Sequence, residues 1–519
     1  MHRTSAFFPR PAIASRFHAV LAGLWLAAAA LPVLAQQAGN ASSLAALEHG
    51  LRPNLLPAGT PEPRWSLRER MAHHRVPGVA VAVIRDGRLV AAAGYGVLRA
   101  DGNTPVDADT LFNVGSISKV VTAAVSLRLV AKGRMDLDTD INQVLRGWRL
   151  PAWREVPPAP VNLRMLMSHT AGLNVHGFPD YLPGEATPTL LQTLEGLPPA
   201  RTPAIRLQHR PGRLVDYSGG GTLIQQRMIE DVSGAPLETS GRAEVFTPLG
   251  MARSTFRDPA DAARGNVASA HDAEGHPVAL PRGWQTFPQE APAGLWTSAH
   301  DLGAFVGALI RSYQGRDGYL PHPLAIQMMT EVAPGNFGLG PRLEGVGEQR
   351  VFHHGGSNDS YHAWIEGYLE TGDGLVILTN GENGWALRGE IRNALSDAFG
   401  HGVNPLLRTI DLDAASARVA DYAGHYVRDT RVPEDLRGPL ADAFDNGAAT
   451  LDIRFDGQVL SVVLPDETGA LQPLASNRFI APTVFSTGYT FHRDAGGEVR
   501  GLTLSLGEGR AYYRRVPSR

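Results

Sequence analysis

The chain of 519 residues contains no cysteine. That absence excludes a disulfide framework, a thiol nucleophile, a thiolate metal site and a lipid-modified thiol. Lysine is scarce as well: of 48 basic side chains, only Lys119 and Lys132 are not arginine. Neither sign of charge is in excess, with a formal net charge of −3 and a pI near 6.7. No footprint for nucleic acid or an anionic membrane is indicated, whereas a neutral or zwitterionic small-molecule or peptide substrate fits. Beyond the N-terminus no apolar stretch is long enough to span a bilayer. His353-His354 has no H-x-x-x-H or acidic partner nearby, so no metal site is expected.

What is present is a composition of 43% hydrophobic and 19% charged residues, with 57 Gly and 38 Pro. It fits a large globular protein of two domains. At the N-terminus Arg3, Arg10 and Arg16 precede an apolar run from Ala19 to Leu31, and Pro32-Val33-Leu34-Ala35 leads into Gln36-Gln37. Residues 1–35 read as a secretory signal, so the mature protein is expected to be periplasmic or secreted, with no membrane span after cleavage.

Trp65 to His74 has a helical pattern. Val79 to Ile84, Arg85-Asp-Gly-Arg88 and Leu89 to Ala93 read as strand, tight turn and strand. Ile117, Val120, Val121, Ala124, Leu127 and Val130 form an apolar helix that Gly133 ends. Val351 to Asn380 is extended again, with a turn at Thr371-Gly-Asp-Gly374. Hairpins at both ends of a helical middle predict an α/β (α+β) domain over residues 36–404. Pro151–Pro160 and Pro281–Pro292 read as surface loops. Residues 405–519 change texture: short alternating segments at 419–427, 450–455, 459–464, 479–481, 489–492, 502–505 and 511–516 predict a small antiparallel β-domain closing toward a barrel. Arg85, Arg88 and His73-His74 are expected on the solvated surface. Trp296, Tyr361 and Trp364 fit either a cleft wall or the core.

Three places carry groups suited to acyl transfer. Ser116-Ile117-Ser118-Lys119 puts a hydroxyl and an amine at i and i+3, on one helical face. Arginine would serve a surface ion pair as well, but only an ammonium can lose its proton and act as a base. Ser116 stands at the start of its helix, where free N–H groups favour a developing anion. Tyr217-Ser218-Gly219 offers a phenol before a helical run through Glu230. His354-Gly355-Gly356-Ser357 opens an extended segment, as an edge strand beside a cleft would, and its glycines let a substrate backbone approach.

In their order these three places resemble the serine β-lactamase and penicillin-binding superfamily, in the branch of class C β-lactamases, D-alanyl-D-alanine carboxypeptidases, D-aminopeptidases and related esterases. Phe112-Asn-Val-Gly-Ser-Ile-Ser-Lys119, Leu163-Arg-Met-Leu-Met-Ser-His-Thr-Ala-Gly-Leu173, Pro248-Leu-Gly-Met251, Gly294-Leu-Trp-Thr-Ser-Ala-His-Asp301 and Leu378-Thr-Asn380 extend the resemblance over roughly residues 65 to 400. It implies a β-lactamase/transpeptidase-like domain, an antiparallel sheet flanked by helices, with a lipocalin-like barrel appended at the C-terminus. It implies that Ser116 attacks a carbonyl and forms an acyl-enzyme, with Lys119 and Tyr217 moving the protons; which of the two is the base stays open. The N–H groups of Ser116 and Ser357 would form the oxyanion hole, with His354 and Gly356 in the third motif.

Two departures from the family pattern stand out. Gly219 replaces the Asn of Y-x-N, and His354-Gly355 replaces the Lys-Thr of K-T-G, so a weaker grip on a substrate carboxylate is expected. The resulting expectation is a secreted serine hydrolase, without metal or organic cofactor, that cleaves D-amino-acid or peptidoglycan-type peptides or small esters. β-Lactam hydrolysis and a penicillin- or peptidoglycan-binding sensor with little turnover are the alternatives.

Overall fold

The computed structural model describes residues 44–153, 159–316, 318–413, 417–429, 431–436, 448–463, 468–481, 487–506 and 509–516. The expected signal segment lies outside the described residues, as does part of the Pro151–Pro160 loop.

The first domain is built on strands β1 (Gly78–Arg85), β2 (Arg88–Gly96), β3 (Arg342–Glu344), β4 (Val351–Ser357), β5 (His362–Tyr368) and β6 (Gly374–Thr379). They form one antiparallel sheet in the order β2-β1-β6-β5-β4-β3. Asp86 and Gly87, both at positive φ, close the expected tight turn between β1 and β2. From Gly78 to Ile84 strand β1 is apolar and buried because both faces of the sheet are covered. Val79, Val81 and Val83 pack with Leu67 and Met71 of α1 (Leu67–His74) and Leu387, Ile391 and Leu395 of α6 (Gly384–Phe399). Ala80, Ala82 and Ile84 point the other way, toward Leu302, Phe305, Val306 and Leu309 of α5 (Ala299–Tyr313). The expected sheet flanked by helices is what the chain forms.

The helical middle centres on α2 (Ile117–Ala131), in which every residue from Ile117 to Leu127 is buried. It packs against α3 (Gly219–Ser233) and the short α4 (Glu290–Ala293). Gly133 (φ 67°) follows the end of α2 and Gly234 (φ 70°) caps α3.

Strands β7 (Gly424–Arg428), β8 (Thr450–Phe455), β9 (Leu460–Val463), β10 (Thr468–Ala475), β11 (Arg478–Ala481), β12 (Thr487–Arg493), β13 (Val499–Leu506) and β14 (Gly509–Val516) close into the antiparallel barrel expected at the C-terminus. Its inside is occupied by side chains, among them Tyr422, Tyr426, Phe479, Phe491 and Tyr513; Tyr422 and Phe491 stack at 4.3 Å. Two details differ from the sequence reading. Val419–Tyr422 is a turn of 3₁₀-helix ahead of the first strand. Strand β10 had no expected counterpart, because Gly469, Gln472 and Pro473 break the alternation; the register shifts at Pro473.

The surface expectations divide. His73 and Arg88 are exposed, but His74 lies 3.1 Å from the Glu390 carboxylate, which also binds Arg70 at 2.6 Å. Arg85 pairs with Asp373 at 2.9 Å and lies over the Phe399 ring. His74 thus belongs to the packing of α6 on the sheet, whereas Arg85 keeps 41% of its side chain exposed while it braces Phe399.

Candidate active site

Ser116 is the one residue between Leu111 and Leu127 that is not buried. It occupies the N-cap of α2 in a helical conformation, and its hydroxyl makes no capping bond. The hydroxyl is left for another partner: Lys119 Nζ lies 2.9 Å from Ser116 Oγ. The i, i+3 spacing puts both groups on one face, and the surroundings fix the amine. Lys119 is 5% exposed and its Nζ donates to the Pro292 carbonyl at 2.9 Å. Thr122, one turn on, donates to the Ala291 carbonyl at 3.1 Å. The end of Pro281–Pro292, read from sequence as a surface loop, is therefore the clamp that holds the Lys119 amine.

The turn before Ser116 is braced in the same way. Asn113 Oδ1 accepts the N–H of Gly115 at 2.9 Å and the side-chain amide of Asn358 at 2.9 Å. The Asn113 amide donates to the Ala293 carbonyl at 3.1 Å. The Ser118 hydroxyl donates to the Gly115 carbonyl at 2.6 Å and accepts from Leu295 N–H at 3.0 Å.

Strand β4 brings the third motif onto this turn. Strand β3 pairs only with Val351–His353, so it leaves the His354–Ser357 half of β4 as the expected edge. A β-carbon on Gly115 (φ 47°) would lie 2.8 Å from Ser357 N, and one on Gly356 would lie 3.0 Å from Ser116 N. These two glycines let the backbones of residues 115–116 and 356–357 come into contact, which brings the amides of Ser116 and Ser357 to the same turn. Ser357 is exposed, and its hydroxyl sits 2.9 Å from His362 Nδ1.

His354 is 4% exposed. Its Nδ1 donates to the Gly355 carbonyl at 2.6 Å, which fixes the tautomer. Nε2 then carries the lone pair and has no protein partner among the described residues. Burial first, and the Lys119 charge second, push His354 down to about 3. It is a neutral ring, not the fixed cation of a K-T-G lysine.

Tyr217 precedes α3, whose N-cap Ser218 accepts from Gly221 N–H. Its ring centroid lies 5.0 Å from Lys119 Nζ and 6.2 Å from the His354 ring. The structure thus brings Ser116, Lys119, Tyr217, His354, Gly356 and Ser357 together. At Gly219 the space an Asn would use is taken: a β-carbon there would come 2.9 Å from the Phe178 ring and 3.1 Å from the His176 carbonyl. Gly219 N–H donates to that carbonyl at 2.8 Å. Of the aromatics that fitted cleft or core, Trp296 and Tyr361 are core. Trp364 stacks on His353, on the face of the sheet opposite His354.

Sequence reasoning named no role for several neighbours. His169 and His176 lie against Tyr217, at 4.3 and 5.0 Å between rings, and both are lowered from the ordinary histidine value by burial and the Lys119 charge. Arg342 on β3 sits 4.2 Å over the Phe337 ring, which itself packs against Tyr217 and His169. The remaining shared stretches serve the scaffold: Asn380 binds Gly78 N–H at 2.7 Å, and Asp301 receives the N–H groups of Arg253 and Ser254 at 2.9 Å. Among the described residues no cluster of three or more His, Cys, Asp or Glu could hold a metal, and no helix is long and apolar enough to cross a membrane.

Against known proteins, the model of a family described as Beta-lactamase matches residues 66–398. Penicillin-binding protein 4 of Amycolatopsis lactamdurans is 32% identical over 224 residues, 42% of this chain and 55% of that protein. The chain thus spans about half the length of that relative. Esterase EstB of Burkholderia gladioli is 27% identical over 317 residues, 54% of this chain and 75% of the esterase. Among solved structures, the octameric penicillin-binding protein homologue from Pyrococcus abyssi superposes with a TM-score of 0.54 at 20% identity, covering 86% of this chain and 98% of the other, a likeness of fold alone.

Proposed function

The chain belongs to the beta-lactamase family, and from that premise we propose that it is a secreted serine hydrolase that cleaves an amide or ester through an acyl-enzyme on Ser116. The observation that carries this reading is the pairing of Ser116, accessible amid buried neighbours, with a buried amine at 2.9 Å.

In this reading Ser116 Oγ attacks the substrate carbonyl while its hydroxyl proton moves to the Lys119–Tyr217 pair. The amides of Ser116 and Ser357 hold the charge that develops on the carbonyl oxygen. As the bond to the leaving group breaks, the proton passes from that pair to the leaving amine or alcohol. Water then attacks the acyl carbonyl, its proton travels through the same pair to Ser116 Oγ as the Oγ–acyl bond breaks, and the acid is released. No metal or organic cofactor takes part.

For substrate, peptides with a D-amino acid and a free carboxylate come first. His354 is neutral and supplies no fixed charge, but the Arg342 guanidinium at the Phe337–Tyr217 side of the site does, and it cannot be deprotonated. Phe178 at Gly219 favours the second reading, a small apolar ester, because it replaces an amide contact with an aromatic wall. The two relatives divide in the same way, one named a penicillin-binding protein and the other an esterase.

The test is intact-mass spectrometry of wild-type protein and Ser116→Ala after exposure to an activated ester, a fluorophosphonate and a penicillin. An adduct on the wild type alone supports Ser116 as nucleophile, and its lifetime with penicillin separates β-lactam turnover from trapping. No adduct with any probe would favour a non-catalytic sensor.

A further inference from the structure

His169 lies in the Leu163–Leu173 stretch, and the acyl-transfer scheme gives it no task. Its backbone is left-handed, with φ 60°, a conformation uncommon for any residue but glycine. That conformation turns both of its acceptors toward one segment. The His169 carbonyl accepts the N–H of Asp216 at 2.8 Å, and its Nδ1 accepts the N–H of Ser218 at 3.2 Å. The residue between those two donors is Tyr217, whose ring lies 4.3 Å from the imidazole. Phe337 closes edge-on against the imidazole at 4.7 Å.

The tautomer follows from the same contact. With Ser218 N–H aimed at Nδ1, the neutral ring carries its hydrogen on Nε2, which is buried without a partner among the described residues. Protonation would set one N–H against another and break the clamp. Burial first, and the nearby cationic side chains Lys119 and Arg342, oppose that protonation. A left-handed histidine and a buried donor without an acceptor are two unfavourable features on one residue. They persist where the surroundings over-determine a geometry that function needs.

We infer that His169 is the positioning residue for Tyr217: it grips the backbone on both flanks of that residue and the ring between them, and so sets the phenol against Lys119 and Ser116. The inference rests on the acyl-transfer reading and adds to it a residue that touches neither substrate nor the reacting atoms.

Two variants test it. His169→Asn tolerates the left-handed backbone and keeps an acceptor near the δ position but has no ring; His169→Gly accepts the same φ and keeps only the carbonyl bond. Reactive Ser116 is titrated with a fluorophosphonate, and turnover of an activated ester per titrated site is followed from about pH 5 to 10. The expected result is folded protein with KM within about twofold, kcat per site lower by about 100-fold, the scale set by displacing a catalytic group by an ångström, and an alkaline limb moved by about half a pH unit or more. A kcat per site within about twofold of wild type with a superimposable pH profile, whether or not Tm falls, overturns the inference. Failure of both variants to accumulate as folded protein also overturns it, since His169 would then be a folding determinant. Wild-type protein that does not label at Ser116 overturns the acyl-transfer reading itself, and the inference with it.

Discussion

A β-carbon added to Gly356 would overlap the carbonyl oxygen of Val114, so strand β4 reaches the turn before Ser116 only because residue 356 has no side chain. Backbone against backbone at this point is what sets the Ser357 amide beside Ser116. Gly356→Ala should push β4 away by the width of a methyl group. Acylation by an activated ester is expected to fall by about 100-fold or more, as on removal of an oxyanion donor, with a smaller effect on Tm. Stopped-flow acylation and a thermal melt of the same preparation check both.

Gly219 offers a reciprocal test. Gly219→Asn alone would drive its side chain into Phe178 and is expected to lower stability by about 1–3 kcal/mol, the usual scale of overpacking. Combined with Phe178→Ala, the same substitution should fold normally and present an amide where Y-x-N relatives have one. Penicillin acylation in the double variant, measured by intact mass, should exceed that of wild type.

Arg342 is expected to recognise a carboxylate. Arg342→Ala should raise KM for a peptide with a free C-terminal carboxylate by about tenfold or more, a loss of ~1.4 kcal/mol. Turnover of a neutral ester should stay within about twofold. Equal losses on both substrates, in a side-by-side steady-state assay, would deny Arg342 that role.

Glu290 gives a pH dependence. Burial, with the negative charges of Glu230 and Glu238, raises its carboxyl from 4.5 to about 7; Gln226 donates to both Glu230 and Glu290. The folded protein therefore keeps a proton that the unfolded chain releases. Its contribution to stability is fully present below about pH 4.5 and is lost as pH rises through about 7, a change on the order of 1–3 kcal/mol. Glu290→Gln should flatten the Tm profile across that window and give the higher Tm at pH 8. Melts of the two proteins at half-unit steps would show it.

How much of this could be read from sequence depends on how local each feature is. Ser116 and Lys119 declare themselves because a helix brings i and i+3 together. The β1–β2 hairpin follows from Asp86-Gly87, and the flanking helices follow from apolar period. Tyr217 and His354 needed resemblance to a family, because nothing local ties them to Ser116. The Pro292 carbonyl and the His169 clamp were not legible: each acts through backbone atoms or a left-handed φ, which residue type does not announce. Strand β10 escaped for the opposite reason, since Gly469 and Pro473 look like turn residues and the barrel overrides them.

The joint between the two domains has little slack. Leu55–Leu56 pairs in parallel with Leu407–Arg408, and Thr409 N–H binds the Leu56 carbonyl at 2.9 Å. The very next residue, Ile410, donates to the Pro473 carbonyl of the barrel at 3.0 Å. Neighbouring residues are thus moored to different bodies, with no free spacer between them. The barrel is thereby tied through backbone hydrogen bonds to the segment ahead of α1. At residues 409 and 410 the two domains share one uninterrupted run of backbone hydrogen bonds.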